Sequence, residues 1–295
     1  MWFRLSMALL VCVGAGFLVS WFLILRNSIL PILPLTLRPA DLGLTAETVI
    51  FRASDGVTLH GWLLRQPDRH RPVIILCHGM AANRSDVLPL AHALYRGGYQ
   101  AFLFDFRAHG ESGGRVTSFG WTEQRDAEAA CRWLRADAAL ADVAWGMYGL
   151  SMGGAVALQT AAHTAEIRAV VVDSTYKDLQ SSMLLHVRLM YHMPSKPLWP
   201  WLATAYWLRY RAWPTRVSPM QAARRMDDRA LFIISGTLDP RIPAEDAEAI
   251  YAAAAGPKEL WIIPGAVHAG GYVLSPGEHA DRVLAFFRQH LPFQS

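Results

Sequence analysis

The chain has few cysteines, and their positions exclude a disulfide framework or a cysteine-based metal site. Its three cysteines are Cys12, Cys77 and Cys131, which are far apart in the sequence. Disulfide scaffolds and zinc sites need cysteines paired at short, regular spacings. Cys77 and Cys131 are therefore predicted to be buried structural residues, and the cysteines do not indicate a redox compartment.

Clusters of charge of one sign are also absent from the sequence. Lys and Arg number 28 against 24 Asp and Glu, which gives a net charge of +4, and no run of basic residues occurs. Surfaces that bind nucleic acid usually carry a clustered basic patch. We therefore predict no nucleic-acid partner. The 295 residues contain no internal repeat, and they suffice for one large domain with a sizeable core.

One long stretch lacks charge altogether. Residues 5–25 are bounded by Arg4 and Arg26 and are almost entirely apolar. About 20 such residues cross the hydrocarbon core of a bilayer. A cleaved signal peptide is the alternative, but the run is longer than a usual signal core and no clear cleavage site follows it. We predict that residues 1–26 are an uncleaved single-pass membrane anchor, with an orientation that the flanking basic residues leave open.

The rest of the chain alternates between apolar, β-prone runs and helical periodicity. Residues 27–47 are predicted to be a proline-containing linker, which lies along the membrane or along the domain, and residues 48–295 a single α/β domain. Such alternation predicts a mostly parallel sheet flanked by helices, and a hairpin around Asp55-Gly56 adds antiparallel strands at one edge. Strands are predicted at 48–53, 57–65, 73–77, 100–105, 146–149, 169–173, 231–235 and 259–263, and helices at 85–97, 122–136, from 151 onward, 244–254 and 276–290.

Residues 176–226 interrupt this alternation. The segment is rich in aromatic and basic residues, has few acidic ones, and is divided by prolines into short helical pieces. We predict a helical cap insertion over the carboxyl edge of the sheet. The alternative is an ordinary insertion whose aromatic residues fill their own core.

The sequence Gly149-Leu150-Ser151-Met152-Gly153 lies between a predicted strand and a predicted helix. A G-x-S-x-G in this context is typical of a sharp turn that exposes the serine hydroxyl, and the glycines avoid collisions within it. Ser151 is therefore the candidate nucleophile. The Met152 amide would lie at the helix N-terminus, where it could stabilise an oxyanion.

A serine nucleophile needs a base, and the base needs an acid. In the nucleophile-elbow architecture the chain order is serine, acid, histidine. Asp239 and His268 follow the last two predicted strands in this order, so we predict a triad of Ser151, Asp239 and His268. Asp173 is the competing acid, with helix capping as its other role, and His78 is the competing base, which we expect to make a structural hydrogen bond.

Two further loops follow strands. The Met80 amide, in His78-Gly79-Met80, is predicted to complete the oxyanion hole with the Met152 amide. The segment from Asp105 to Ser112 could hold a second dyad, but we expect Asp105 and Arg107 to fix loops through buried hydrogen bonds.

Together, these motifs resemble the α/β-hydrolase superfamily over residues 49–292. They look like its membrane-anchored serine hydrolases of the serine aminopeptidase-like or Bem46-like branch. The resemblance implies hydrolysis of an ester, thioester or amide bond without a cofactor or metal. The His78-Gly79-Met80 turn departs from the His-Gly-Gly-Gly form of many lipases, which argues against a simple lipase.

We therefore expect an esterase or thioesterase acting on a small-molecule or lipid-like acyl substrate. Aromatic cap residues would favour an acyl chain, and basic ones an anionic group on the substrate or a membrane surface. A peptidase is an alternative that calls for an acidic cap residue to bind a free amino terminus, and a non-catalytic scaffold on the same fold is another.

Overall fold

The computed structural model describes the backbone of residues 2–293 and the side chains of residues 14–293. Eight strands form one sheet. They are β1 (Glu47–Arg52), β2 (Thr58–Leu64), β3 (Val73–Cys77), β4 (Gln100–Phe104), β5 (Trp145–Leu150), β6 (Ile167–Asp173), β7 (Ala230–Gly236) and β8 (Lys258–Ile263).

The sheet has the order β1-β2-β4-β3-β5-β6-β7-β8. Strand β2 pairs antiparallel with both β1 and β4, whereas every pair from β4 to β8 is parallel. Strand β3 is buried along its whole length, as its continuous apolar sequence predicts for a sheet covered on both faces. The predicted fold class, a mostly parallel sheet with an antiparallel edge, is confirmed.

The five helices whose positions were predicted in the α/β alternation follow those positions to within a few residues, and two short helices, Ala138–Ala141 and Gly271–Leu274, were not predicted. Helix α2 begins three residues later than predicted, because Asn83 accepts a hydrogen bond from the Ser85 amide and holds a turn there. The helices are α1 (Trp2–Ser28), α2 (Leu88–Arg96), α3 (Glu123–Ala136), α4 (Ala138–Ala141), α5 (Met152–Ala161), α6 (Leu179–Tyr191), α7 (Ser195–Tyr210), α8 (Pro219–Ala223), α9 (Ala244–Ala253), α10 (Gly271–Leu274) and α11 (Pro276–His290).

Two apolar clusters cover the two faces of the sheet. One contains residues of α3, α5, α8 and α9, and the other contains residues of α2 and α11. The predicted linker lies along the domain, because Leu35, Leu37, Leu42 and Leu44 pack against the α2–α11 cluster.

The cap insertion forms α6, α7 and α8. Pro194 precedes α7 and Pro214 begins a short 3-10 turn between α7 and α8, whereas Pro200 lies inside α7 and does not divide it.

Several aromatic residues of the cap are buried in a cluster that also contains Ile24, Ala155 and Ile242, so they pack against the rest of the domain and do not form the separate core that the alternative interpretation expected. Tyr206 is buried, and Tyr206 and Tyr210 pack against each other with ring centroids 4.7 Å apart.

Helix α1 packs against the cap. A Cβ atom at Gly16 would lie only 2.9 Å from the Trp201 ring, so the two helices approach closely there. Further along, Leu23 packs with Val187 and Leu202 in one small cluster. The described part of α1 is therefore in contact with the α/β domain.

The predicted membrane span at residues 5–25 begins in a stretch whose side chains lie outside the described residues. Within the part of the chain that the structure describes, no helix combines the length and the apolar character that crossing a membrane requires. The anchor and the domain boundary at residue 26 stay predictions.

Candidate active site

Ser151 lies at a strained turn between β5 and α5. Its backbone has φ 55° and ψ −117°, a region that residues with a Cβ atom rarely adopt. A Cβ atom at Gly149 would lie 2.4 Å from the Gly153 carbonyl oxygen, and one at Gly153 would lie 2.3 Å from the Cys77 carbonyl oxygen. Both glycines are therefore sterically required, which confirms the reason that the sequence suggests for them.

Ser151, His268 and Asp239 form one hydrogen-bonded chain. The Ser151 Oγ lies 3.0 Å from His268 Nε2, and His268 Nδ1 lies 2.7 Å from Asp239 Oδ2. These side chains come from three separate βα loops at the carboxyl edge of the sheet, where sites of α/β proteins form. The structure thus brings together the three residues that were selected from their order in the sequence.

The Asp239 carboxylate is held in one orientation. It is buried, and its Oδ1 accepts hydrogen bonds from the amides of Arg241 (2.8 Å) and Ile242 (2.9 Å). Oδ2 is thereby directed at His268 and accepts a hydrogen bond from its Nδ1–H group. This tautomer leaves Nε2 free to accept the Ser151 hydroxyl proton.

The competing acid, Asp173, has a different partner. Its Oδ2 accepts a hydrogen bond from His279 Nε2 at 2.9 Å, and its Oδ1 accepts one from the Ser174 hydroxyl at 2.8 Å. The Ser174 hydroxyl in turn accepts the Ala269 amide, at 3.2 Å, directly after His268. Asp173 therefore supports the histidine loop from behind instead of contacting His268.

The competing base, His78, is fully buried and makes structural hydrogen bonds. Its Nε2 accepts the Phe106 amide at 3.0 Å, and its Nδ1 donates to the Gly79 carbonyl at 2.7 Å. Burial lowers the pKa of His78 well below its ordinary value, and the neighbouring His109 acts in the same direction. The ring is therefore neutral and unavailable as a base.

The two residues predicted to supply oxyanion-hole amides both lie at the serine. Met80 and Met152 line the same cavity as Ser151, and Met152 is the first residue of α5. The loop before Met80 is close enough that a Cβ atom at Gly79 would lie 3.5 Å from the Ser151 Cβ. The arrangement places a helix N-terminus and a loop beside the hydroxyl, as an oxyanion hole requires.

The segment from Asp105 to Ser112 fixes loops, as expected. Asp105 is buried and forms an ion pair with the buried Arg84. Arg107 bridges Asp126 and Asp55, each at 2.7 Å. Neither Asp105 nor Arg107 lines the cavity at Ser151.

A cavity of about 120 Å³ opens at Ser151 and His268. Its lining is mostly apolar, and it comes from the edge of the sheet, from the cap and from α1. Apart from the catalytic candidates and the two methionines, the lining residues are Leu23, Ile24, Asn27, Phe119, Tyr176, Leu179, Ser182, Met183, His186, Val187, Tyr191, Leu202, Arg241 and Ile242.

Two parts of this lining were missed by the sequence reasoning. Leu23, Ile24 and Asn27 belong to the segment predicted as an anchor, and nothing in an apolar run marks three of its residues for a pocket. His186 is a lone histidine on a cap helix. Burial lowers the pKa of His186, and the Arg241 guanidinium acts in the same direction.

The basic residues of the cap do not lie at the substrate cavity, where we expected them. Over the described residues, no lysine or arginine between 176 and 226 lines the cavity. Lys177 instead pairs with Asp246 at 2.8 Å, and Arg188, Arg211 and Arg216 are exposed. Long charged side chains stay in water where the cavity wall offers no partner.

Comparison with known proteins shows the family to which this chain belongs. The family described as "Serine aminopeptidase, S33" matches residues 68–230. This chain belongs to that family. The protein YqkD of Bacillus subtilis is 32% identical over 217 residues, which cover 72% of this chain and 70% of YqkD. The protein bem46 of Schizosaccharomyces pombe is 27% identical over 146 residues, 48% of each chain.

Solved structures show the same architecture. The esterase Pf2001 of Pyrococcus furiosus superposes with a TM-score of 0.74 and 25% identity, covering 89% of this chain and 99% of the esterase. The protein is therefore a hydrolase of the α/β-hydrolase superfamily, in its serine aminopeptidase-like, Bem46-like branch. No group of His, Cys, Asp and Glu in the described structure could hold a metal ion.

The two candidate acids can be separated by substitution. Asp239→Asn should lower kcat by about 10⁴-fold, because the amide cannot hold His268 in the productive tautomer. Asp173→Asn should lower kcat far less and mainly reduce thermal stability, since it disturbs the buried contact with His279. Steady-state hydrolysis of p-nitrophenyl acetate and melting temperatures of both variants measure this difference. A larger loss of kcat in Asp173→Asn would move the triad acid to Asp173.

Proposed function

We propose that this hydrolase is a serine esterase or thioesterase that works through an acyl-enzyme on Ser151. The observation that carries the proposal is the hydrogen-bonded chain from Ser151 through His268 to Asp239, with distances of 3.0 and 2.7 Å. It ends in the cavity, where a carbonyl group can reach the serine.

In the first half of the reaction the Ser151 Oγ attacks the carbonyl carbon of the substrate. His268 Nε2 takes the hydroxyl proton, and the negative charge of Asp239 stabilises the resulting imidazolium. The tetrahedral intermediate then collapses. The bond to the leaving alcohol or thiol breaks, His268 returns the proton to the leaving group, and the acyl group stays on Ser151.

In the second half a water molecule attacks the acyl-enzyme. His268 takes a proton from this water, the ester bond to Ser151 breaks, and the proton passes to the Ser151 oxygen. The acid product leaves, and the enzyme returns to its starting state. The amides of Met80 and Met152 stabilise the oxyanion of both tetrahedral intermediates, and one such donor is worth about 10²- to 10³-fold in kcat.

The cavity supports an acyl substrate over a peptide. Among the described residues no Asp or Glu lines it, so a peptide's free amino terminus would lack a carboxylate partner. Its apolar walls would instead bury an acyl chain, at about 0.8 kcal/mol per CH₂ group. The similar solved structure from Pyrococcus furiosus is named an esterase, which supports the choice of an acyl substrate. The cap's basic residues lie outside the cavity, and Arg241, which follows β7, is the one Lys or Arg among its described lining residues.

We also propose that the N-terminal helix holds the protein at a membrane. Residues 5–25 carry no charge. In the described part of α1, Leu18 and Phe22 are exposed at 67% and 60% on the side away from the domain. Apolar side chains in such a row are costly in water and favourable in lipid.

The nucleophile is tested by Ser151→Ala. This variant should fold, because the lost hydroxyl leaves little space behind, but it should lose covalent labelling by a fluorophosphonate and at least about a thousandfold in kcat. Intact mass after labelling measures the first, and ester hydrolysis the second. Ser182→Ala removes another hydroxyl of the same cavity and should still be labelled. Labelling that survives in Ser151→Ala would refute the assignment.

The acyl specificity is tested with p-nitrophenyl esters from acetate to decanoate. We expect kcat/KM of the full chain in detergent to rise from two to roughly eight carbons, by up to about fourfold per methylene. The full chain is used because α1 lines the cavity. A steady fall with chain length would instead indicate a small pocket suited to acetyl groups.

The membrane proposal is tested by deleting residues 2–13. The full chain should stay in carbonate-washed membranes of expressing cells. The shortened chain should enter the supernatant, because the deletion removes the uncharged residues 5–13 and keeps the part of α1 that packs on the cap. Fluorophosphonate labelling should persist, since the cavity lining begins at Leu23. A full chain found in the supernatant would contradict the proposal.

A further inference from the structure

We propose that α1 is a substrate-binding element, in which Leu23, Ile24 and Asn27 form a wall of the acyl pocket and set the length of acyl chain that the enzyme accepts. This inference rests on the proposed acyl-enzyme function and assigns a second role to a segment whose sequence indicates only an anchor.

The three α1 residues face the cavity that contains Ser151. Leu23, Ile24 and Asn27 line the same cavity as Ser151 and His268. Their spacing of one and four places them on one side of a helix. Leu23 and Ile24 are 5% and 3% exposed, whereas Leu18 on the other side of the helix is 67% exposed. The helix therefore has a pocket side and an open side.

The wall is interlocked with the cap. Leu23 packs with Val187 and Leu202, and all three line the cavity. Ile24 shares a buried cluster with Tyr176 and Leu179, which also line it. The apolar boundary of the pocket is thus continuous from α1 into α6 and α7, and a change of volume at Leu23 changes the room for substrate.

The carboxyl end of α1 is held by hydrogen bonds to the same elements. The side-chain amide of Asn27 donates a hydrogen bond to the Tyr191 hydroxyl at 2.8 Å, and the Ser28 hydroxyl is hydrogen-bonded to the Tyr210 hydroxyl. The Thr117 amide donates to the Ser28 carbonyl at 2.9 Å. A wall fixed at this end can discriminate between ligands, because a pocket is selective only when its lining is held in place.

The cavity volume matches a chain of moderate length. An apolar cavity of about 150 Å³ holds the six carbons of a benzene ring, so about 120 Å³ at Ser151 encloses about five carbons of an acyl chain, and a longer chain must extend along the walls to the open side of the cavity. Each methylene buried against α1 is worth about fourfold in kcat/KM. Filling or emptying the space at Leu23 should therefore move the preferred chain length in opposite directions.

The test compares two leucines of one helix. Leu23→Phe and Leu23→Ala are made in the full chain and assayed in detergent, beside the matched pair Leu18→Phe and Leu18→Ala on the open side. For each, kcat/KM is measured with p-nitrophenyl acetate, octanoate and decanoate. Labelling of Ser151 by a small fluorophosphonate reports on the catalytic chemistry independently of chain length.

We expect Leu23→Phe to lower the octanoate-to-acetate ratio of kcat/KM at least tenfold. Leu23→Ala should raise the decanoate-to-octanoate ratio several-fold, and both Leu18 variants should keep the parent ratios. If Leu23→Phe does not fold, as judged by lost labelling, Leu23→Ala decides the question through the second ratio.

Two results would overturn the inference while the enzyme still labels and hydrolyses esters. One is a pair of Leu23 variants whose ratios stay within twofold of the parent, and the other is an equal shift in the Leu18 pair. A parent chain that neither labels nor hydrolyses any ester would instead overturn the proposed function, and this inference with it.

Discussion

The strained turn at Ser151 is the constraint on which the site depends. A residue with a Cβ atom adopts a positive φ at a cost of order 1–3 kcal/mol, so the surrounding structure must hold it there. The close packing of Gly149 and Gly153 against neighbouring backbone does so. Because the turn joins the central strand β5 to α5, the hydroxyl is presented at the middle of the carboxyl edge, within reach of the loops that follow β3, β7 and β8.

Left-handed backbone recurs in two loops beside this turn. Ser151, Ser174 and Ala269 have φ angles of 55°, 53° and 56°. Hydrogen bonds join these three residues through Asp173. The backbone carbonyl of Asp173 accepts a hydrogen bond from the Ser151 amide at 2.8 Å. The Asp173 carboxylate accepts one from the Ser174 hydroxyl, which in turn accepts one from the Ala269 amide. The nucleophile turn and the histidine loop are thus positioned by one buried acid that lies outside the triad.

The N-terminal helix changes how the domain is divided. In sequence, residues before the first strand stand apart from the βα alternation, and an apolar run there is explained by lipid alone. In the structure the later turns of α1 complete a cavity that the cap by itself leaves open. An apolar side chain is equally suited to lipid, to a protein core and to a substrate pocket, so composition cannot distinguish these uses.

The sequence by itself determined the fold class, the positions of all eight strands and of helices α2, α3, α5, α9 and α11, the turn at Ser151 and the order of Ser151, Asp239 and His268. These features depend on local patterns: apolar periodicity, glycine at a tight turn, and loops that follow strands. Only the tertiary structure decided that His268 contacts Asp239 and not Asp173, that the cap's basic residues avoid the cavity, and that Leu23, Ile24 and Asn27 line it. Each of these depends on distances between segments far apart in the chain, and such distances are set by packing in three dimensions.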